Sequence, residues 1–340
     1  MKKILWGILL AFILAATMIY IGYYYFILQP NTVVKDDGII YIREDDSFET
    51  VLLTLQSKEY IKNATTLRTV ARLKEYTQSV KSGRYRIQNG MNNNQLINML
   101  RSGRQEPIHF TFNNIRTLED FAGIISKQLA IDSSDFLKLT QDSNYVEALG
   151  FTPTNFIAMF IPNTYQIYWN TTTVDFIKKM NAEYHKFWTA ERLEKAKQSG
   201  FSPMDIIIIA SIVEEETNQT SEHPIIAGVY INRLNKGWKL GACPTLKFAL
   251  GDFSLRRILD KHLEIDSPYN TYKNTGLPPG PVRMPSPQVI DAVLNYEHHE
   301  YMFFCAKSDF SGTHHFSRTL RQHNQYAAEY HKALNKRKIY

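Results

Sequence analysis

The stretch FSPMDIIIIASIVEEETNQTSEHPIIAGVYINRL, residues 201–234, decides how the rest of the chain is read. Ser202, Pro203 and Asp205 stand as N-cap, N1 and N3 of a helix. They supply a hydroxyl to accept an orphan amide, a ring with no amide to satisfy, and a carboxylate against the positive helix end. Ile206 to Ala210, with Ile212 and Val213, leave no polar face, and a helix apolar all round belongs inside a core. The run nevertheless ends in Glu214, Glu215 and Glu216. Successive helical residues are about 100° apart, so the three acids cannot share a direction. Glu216 falls over Ile212, Val213 and Ile209, and Glu214 over Ala210, Ser211 and Ile207, leaving Glu215 as the one expected in solvent. A carboxyl at the end of a buried apolar helix has its charged form disfavoured, which is what a general acid near neutral pH requires. The plain alternative is a core helix that reaches the surface and ends in solvated acids.

At the amino terminus, Lys2 and Lys3 precede an uncharged run from Ile4 to Leu28. At 1.5 Å per residue that run spans about 37 Å, more than the roughly 30 Å hydrocarbon core of a bilayer. The lysines favour the cytoplasmic side and leave the rest of the chain outside the cytoplasm. Tyr20, Tyr23, Tyr24 and Tyr25 would form an aromatic belt at the exit. The run is longer than a signal-peptide core, and no small-x-small site closes it before Gln29, so an uncleaved single-pass anchor over 1–28 is expected. A formal net charge of +6 suits a polyanionic partner or anionic lipid, and no nucleic-acid motif is present. Cys243 and Cys305 are too few for a disulfide framework, and their pairing is left open.

The remainder reads as α+β. Residues 29–37 form a polar tether. A small α+β unit over 38–105 has strands at Gly38–Glu44 and Gly83–Gln88, helices starting at Asp46 or Ser47, at Asn63 and at Asn92, and a turn at Asn89-Gly90. A larger mixed α/β domain over 106–336 contains the acidic-ended helix. It opens with a linking strand at 107–113 and helices from Thr117 and Ser133, the latter with Leu137 and Leu139 buried. The aromatic-rich stretch 152–170 is either a platform for sugar rings or ordinary core. Ser267–Ser286 is a rigid proline-rich loop of the kind that carries function, and Tyr301–Ala306 a buried strand. A closing helix runs to about Leu334, with a basic tail after it.

Candidate chemistries narrow quickly. His298, His299, His314, His315 and His323 match no zinc-ligand spacing, and adjacent histidines in a strand point to opposite faces. Neither a G-x-S-x-G elbow nor a phosphate-binding glycine loop is present. No metal and no cofactor is expected. What remains is an acidic helix end among Asn, Tyr, Thr, His and Arg, a set suited to a neutral polyol.

Several motifs then occur in order: ASIVEEET at 210–217, SEHPIIAGVYINRL at 221–234, Pro244-Thr245, SPYNTY at 267–272, TGLPPGP at 275–281, an H-x-F-S element at 314–317, and His323-Asn324. In these the chain resembles the MltG (YceG-like) family of membrane-anchored endolytic murein transglycosylases, over essentially all its length after the anchor. The resemblance implies a LysM-like unit at 38–105 and a transglycosylase domain at 106–336. It further implies a place in the bacterial inner membrane, peptidoglycan glycan strands as substrate, and glycan-synthesising enzymes as partners. The implied reaction cleaves the β-1,4 bond between N-acetylmuramic acid and N-acetylglucosamine, leaving 1,6-anhydro ends. One carboxyl serves as acid and then base, because the nucleophile is the sugar's own C6 hydroxyl.

Matching the family's acidic motif puts the catalytic acid at Glu216, with Glu214 supporting it. Glu222 and Thr245 are expected to support the site, Glu222 through a polar network with Arg233. Expected substrate contacts are Asn163, Tyr165, Asn232, Arg233, Tyr269, Asn270, Tyr272, His315 and Asn324. The chain departs from the family at Cys243 and Asn163, where relatives often carry Asp, and loses a negative charge at each. A non-catalytic glycan-binding scaffold and a muramidase-type hydrolase, which would need a second carboxylate, remain alternatives.

Overall fold

The structure, a computed structural model, describes residues 2–255 and 258–337. It is a mixed α+β fold in two compact units. The first comprises the chain to Phe110 with 128–131 and 165–172; the second comprises 111–127, 132–164 and the chain from Thr173 on.

In the first unit, α1 (Lys2–Tyr23) continues through a wider turn at Tyr24–Leu28. Together they make 27 residues, with a window of mean hydropathy 2.5, long and apolar enough to cross a membrane. Then follow β1 (Ile39–Ile42), α2 (Phe48–Ser57), α3 (Ala64–Leu73), β2 (Gly83–Arg86) and α4 (Asn93–Ser102). Ser47, Asn63 and Asn92 cap the three helices through the amides of Thr50, Thr66 and Gln95. β1 and β2 pair antiparallel with Ile40 opposite Tyr85. These two side chains join Leu52, Leu67, Leu96, Ile97 and Leu100 in the core.

Residues 29–37, expected as a tether, are fastened along this unit. Asn31 and Thr32 are buried. Asn31 donates to Asn93 Oδ1 (2.7 Å) and to the Asn63 carbonyl (2.9 Å), and accepts from the Asn63 amide (2.8 Å). Asn93 donates in turn to the Phe26 carbonyl (2.7 Å), and Phe26 and Ile27 pack against the core. A polar segment can be buried here because its amides satisfy one another.

The division between units falls inside β3 (Ile108–Phe112) and its partner strand β4. After β3 come α5 (Leu118–Gln128), α6 (Ser133–Gln141), α7 (Ser143–Ala148), β4 (Asn163–Ile167), α8 (Thr173–Phe187) and α9 (Ala190–Ser199). The chain continues with α10 (Pro203–Glu216), α11 (His223–Asn235), α12 (Cys243–Leu250), α13 (Asp260–Leu263), α14 (Pro287–Leu294), β5 (Phe303–Ala306), β6 (His314–Ser317) and α15 (Leu320–Lys336). The expected basic tail runs into 338–340, outside the described residues.

α10 is the centre of the second unit. Ser202 and Asp205 close a capping box at its start. Every residue from Ile206 to Val213 is buried, and the helix packs against α9, α11, α12 and α14. In α6 the inward positions are Phe136 and Thr140, four apart, and Leu137 and Leu139 are only half-buried. Phe156 to Ile161 are buried, with the Phe160 ring 4.9 Å from Phe121 and 5.9 Å from Phe136, so this part of the aromatic stretch is core.

The expected buried strand at 301–306 is instead half of a half-buried hairpin, β5 antiparallel to β6, with Phe304 opposite Phe316 and Cys305 opposite His315. Cys243 and Cys305 are both free thiols. α11 crosses the 297–299 segment at Gly228, where a Cβ would meet the Glu297 carbonyl oxygen at 2.5 Å and His299 Nε2 at 2.7 Å. Gly228→Ala is therefore expected to cost about 1–3 kcal/mol in chemical denaturation, as overpacking does. Gly123→Ala, in α5 with open space around it, should be neutral or gain up to about 1 kcal/mol.

Candidate active site

The end of α10 divides its three acids among three environments. Glu214 accepts the Ser286 amide at 2.9 Å and lies 3.6 Å from Arg283. Glu215, expected in solvent, is held instead in an ion cluster. Arg116 meets its carboxylate in a fork of two 3.0 Å hydrogen bonds, and Arg283 donates to it at 2.8 Å. Arg283 also donates to Asn114 at 2.8 Å, and the Val282 amide donates to the Ser211 hydroxyl at 3.0 Å. The proline-rich loop is thereby tied to α10 at three levels, by Ser211, by the pair Glu214 and Glu215, and by Ser286.

Glu216 has the third environment. It opens onto a cavity of about 300 Å³ that His314 also lines. A narrow solvent-accessible face remains on that side, and protein encloses the carboxyl elsewhere. Tyr230 on α11 donates to Oε1 at 2.6 Å, and Oε2 has no protein partner among the described residues. Burial pushes the carboxyl above its ordinary range; the Tyr230 hydrogen bond and the charges of Arg233 and Lys247 pull the other way without reversing it. Burial also raises Tyr230 well above the phenol range, so it stays a donor. Glu216 is thus a carboxyl whose neutral form is favoured by burial, with Oε1 engaged by Tyr230.

Around this carboxyl the other expected residues sort by what their polar atoms touch. Glu222 is buried and bonds His314 rather than Arg233: its Oε1 accepts the His314 amide at 2.7 Å and its Oε2 the ring Nδ1 at 2.8 Å. Arg233 donates to the carbonyls of Met302 (2.8 Å) and Leu240, and Asn232 to those of His299 (2.8 Å) and Tyr301 (3.0 Å). Both fasten α11 to the segment before β5. Thr245 is buried and bonds Thr271 at 2.8 Å. Tyr272 meets the Cys243 thiol at 3.2 Å, and Glu216 acts electrostatically on both groups.

Asn270 is fully buried and holds the Leu263 and Ile265 carbonyls, while Tyr269 packs 4.6 Å from Phe248. His315 stacks on Tyr326 of α15 at 4.2 Å, and Asn324 is exposed on that helix. Asn163 is exposed, and Tyr165 is buried in the part of β4 that belongs to the first unit.

The alternation of the hairpin explains His315. Phe304, His314 and Phe316 share one face, and Phe304 stands edge-on to Tyr230 at 5.9 Å. Phe303 and His315 share the other face, where His323 and Tyr326 of α15 stack on them. The histidine beside Glu216 is therefore His314. Tyr230, Arg116 and Arg283 were not anticipated from sequence. Tyr230 lies inside the quoted motif at 221–234, where a tyrosine in an otherwise apolar run was the available signal.

With this geometry in view, comparison with known proteins is decisive. The pattern of the YceG-like family matches residues 40–329. The chain belongs to that family. Among its relatives, an endolytic murein transglycosylase of Bacillus subtilis is 30% identical over 273 residues, covering 76% of this chain and 75% of its own. An endolytic murein transglycosylase of Streptococcus pneumoniae is 27% identical over 346 residues, covering 92% of this chain, which spans only 62% of the pneumococcal protein. The crystal structure of a YceG-like protein from Listeria monocytogenes superposes with a TM-score of 0.57 at 26% identity, covering 86% of this chain and 99% of that one.

Linkage gives a test of the Glu216 environment. A carboxyl whose folded pKa is raised favours the fold fully below its ordinary value of 4.5, and loses that contribution as pH rises through the folded value. Glu216→Gln keeps an acceptor for Tyr230 and removes the buried charge. It should stabilise the protein at pH 8, with the difference closing towards pH 4. Thermal unfolding across that range measures it; a Gln variant less stable at pH 8 would mean that the carboxylate is well solvated in the fold.

Proposed function

We propose that this chain is an endolytic peptidoglycan lytic transglycosylase with Glu216 as its acid and base. The observation that carries the reading is the Glu216 carboxyl at the end of α10, raised by burial above its ordinary range and bordering a cavity, in a chain of the YceG-like family. The substrate is a glycan strand cleaved at the β-1,4 bond between N-acetylmuramic acid and N-acetylglucosamine. Glu216 donates its proton to the glycosidic oxygen as the C1–O bond breaks. The C6 hydroxyl of the same muramic acid bonds to C1, and its proton returns to the Glu216 carboxylate. A nucleophile held in the same sugar has an intramolecular advantage, and no second carboxylate is needed to activate water. Glu214 and Glu215 hold the loop that frames the site.

The membrane-crossing helix supports a single-pass anchor with Lys2 and Lys3 on the cytoplasmic side and both units outside, beside nascent strands and their synthases. The small α+β unit is read as a LysM-like glycan contact.

Product analysis tests this. Full-length protein in detergent is incubated with uncrosslinked glycan strands, and the new ends are weighed by mass spectrometry. Ends lighter by one water than hydrolysed muramic ends are expected from wild type and from Glu214→Gln at reduced rate, and none from Glu216→Gln. Reducing ends would indicate a hydrolase, and no cleavage a binding scaffold. Tyr230→Phe removes a hydrogen bond that favours the Glu216 carboxylate, so it raises the carboxyl's proton affinity further. The alkaline fall in activity should move to higher pH.

A further inference from the structure

Glu222 and His314 form a buried pair whose geometry exceeds what packing requires. Both oxygens of the carboxylate are spent on one residue, Oε1 on its backbone amide (2.7 Å) and Oε2 on its ring Nδ1 (2.8 Å). Thr217, which follows Glu216 directly, reaches the same Oε2 at 3.5 Å. Glu222 sits where a short turn, Thr220–Glu222, enters α11, and His314 opens β6, so two elements fix the pair.

A carboxylate accepts and does not donate, which puts a proton on Nδ1; in the neutral ring Nε2 then keeps its lone pair. Nε2 has no protein partner among the described residues. His314 lines the same cavity as Glu216, and its ring centroid lies 5.4 Å from that of Phe304, the two rings nearly perpendicular, on the hairpin face turned to Tyr230. The arrangement is a carboxylate that orients an imidazole, and an imidazole that borders the cavity where the reacting sugar would lie.

We infer that His314 is a second catalytic residue, relaying the proton of the attacking hydroxyl through Nε2 to the Glu216 carboxylate, and that Glu222 is its positioning residue. This rests on the transglycosylase reading above. Once Glu216 has given its proton to the leaving oxygen, the C6 hydroxyl oxygen bonds to C1. Its O–H bond breaks and the proton passes to Nε2. The imidazolium so formed lies between two carboxylates, that of Glu222 at Nδ1 and that of Glu216 across the cavity. Transfer of the Nε2 proton to Glu216 Oε2 then restores both groups. Atoms and charges balance over the cycle, and no water or cofactor enters.

The discriminating variant is Glu222→Gln in the full-length protein. The amide oxygen can keep the His314 backbone amide, while its NH2 donates to Nδ1 and drives the ring proton to Nε2. The expected result is a protein of unchanged unfolding temperature and nearly unchanged KM, with kcat lower by about 10²-fold, the usual contribution of a proton-transfer group. His314→Gln should match it, and the double variant should be no worse than either single one, because the two act as a unit. Glu222→Gln with wild-type kcat, or losses that multiply in the double variant, would overturn the inference.

If both single variants fail to fold, selective ¹⁵N labelling of histidine in the wild type decides. The Nδ1–H form of His314 is expected at neutral pH, and the Nε2–H form would sink the idea. A wild type that makes no anhydro ends, or a Glu216→Gln variant that still makes them, would instead remove the reading on which the pair depends.

Discussion

An acid at the tip of a helix whose preceding eight residues are all buried has little freedom in where it goes. The burial of α10 is the constraint from which the rest of the second unit follows. It carries the carboxyl of Glu216 into protein, where desolvation outweighs the attraction of nearby Arg233 and Lys247. The same helix cannot leave Glu214 and Glu215 unpaired at its margin, since lone buried charges are costly. Arg283 and Arg116 compensate them, and in doing so bind the proline-rich loop to the helix that it must frame.

Two kinds of side chain therefore surround the site. Asn232, Arg233, Asn270 and Thr245 spend their polar atoms on backbone carbonyls or on one another and hold segments in place. Glu216 Oε2 and His314 Nε2 are unspent, and both belong to residues that border one cavity. Unspent polar atoms at a concave surface are where a ligand finds something to bond.

Much of this was legible in the residues. Ser202-Pro203 with Asp205 marks the start of α10, and the helical turn places Glu216 over Ile212 and Val213. The caps at Ser47, Asn63 and Asn92 are likewise local signals. Glu215 was misread because its partners lie 99 and 68 residues away, and a long-range ion pair leaves no periodic trace. His314 and His315 are distinguishable only once the hairpin's partner on each face is known: Tyr230 on one, α15 on the other. The tether was misread for a related reason. Asn31 looks like linker composition until Asn63 and Asn93, both distant in sequence, are seen to satisfy it.

That fastening has a mechanical consequence. A helix longer than the hydrocarbon thickness relieves the mismatch by tilting. Here the emerging turn is bonded through the Phe26 carbonyl to Asn93, and the segment after it through Asn31 to Asn63 and Asn93. In a bilayer, bonds so close to the helix end would couple the lean of the small unit to the tilt of the helix, and so to membrane thickness.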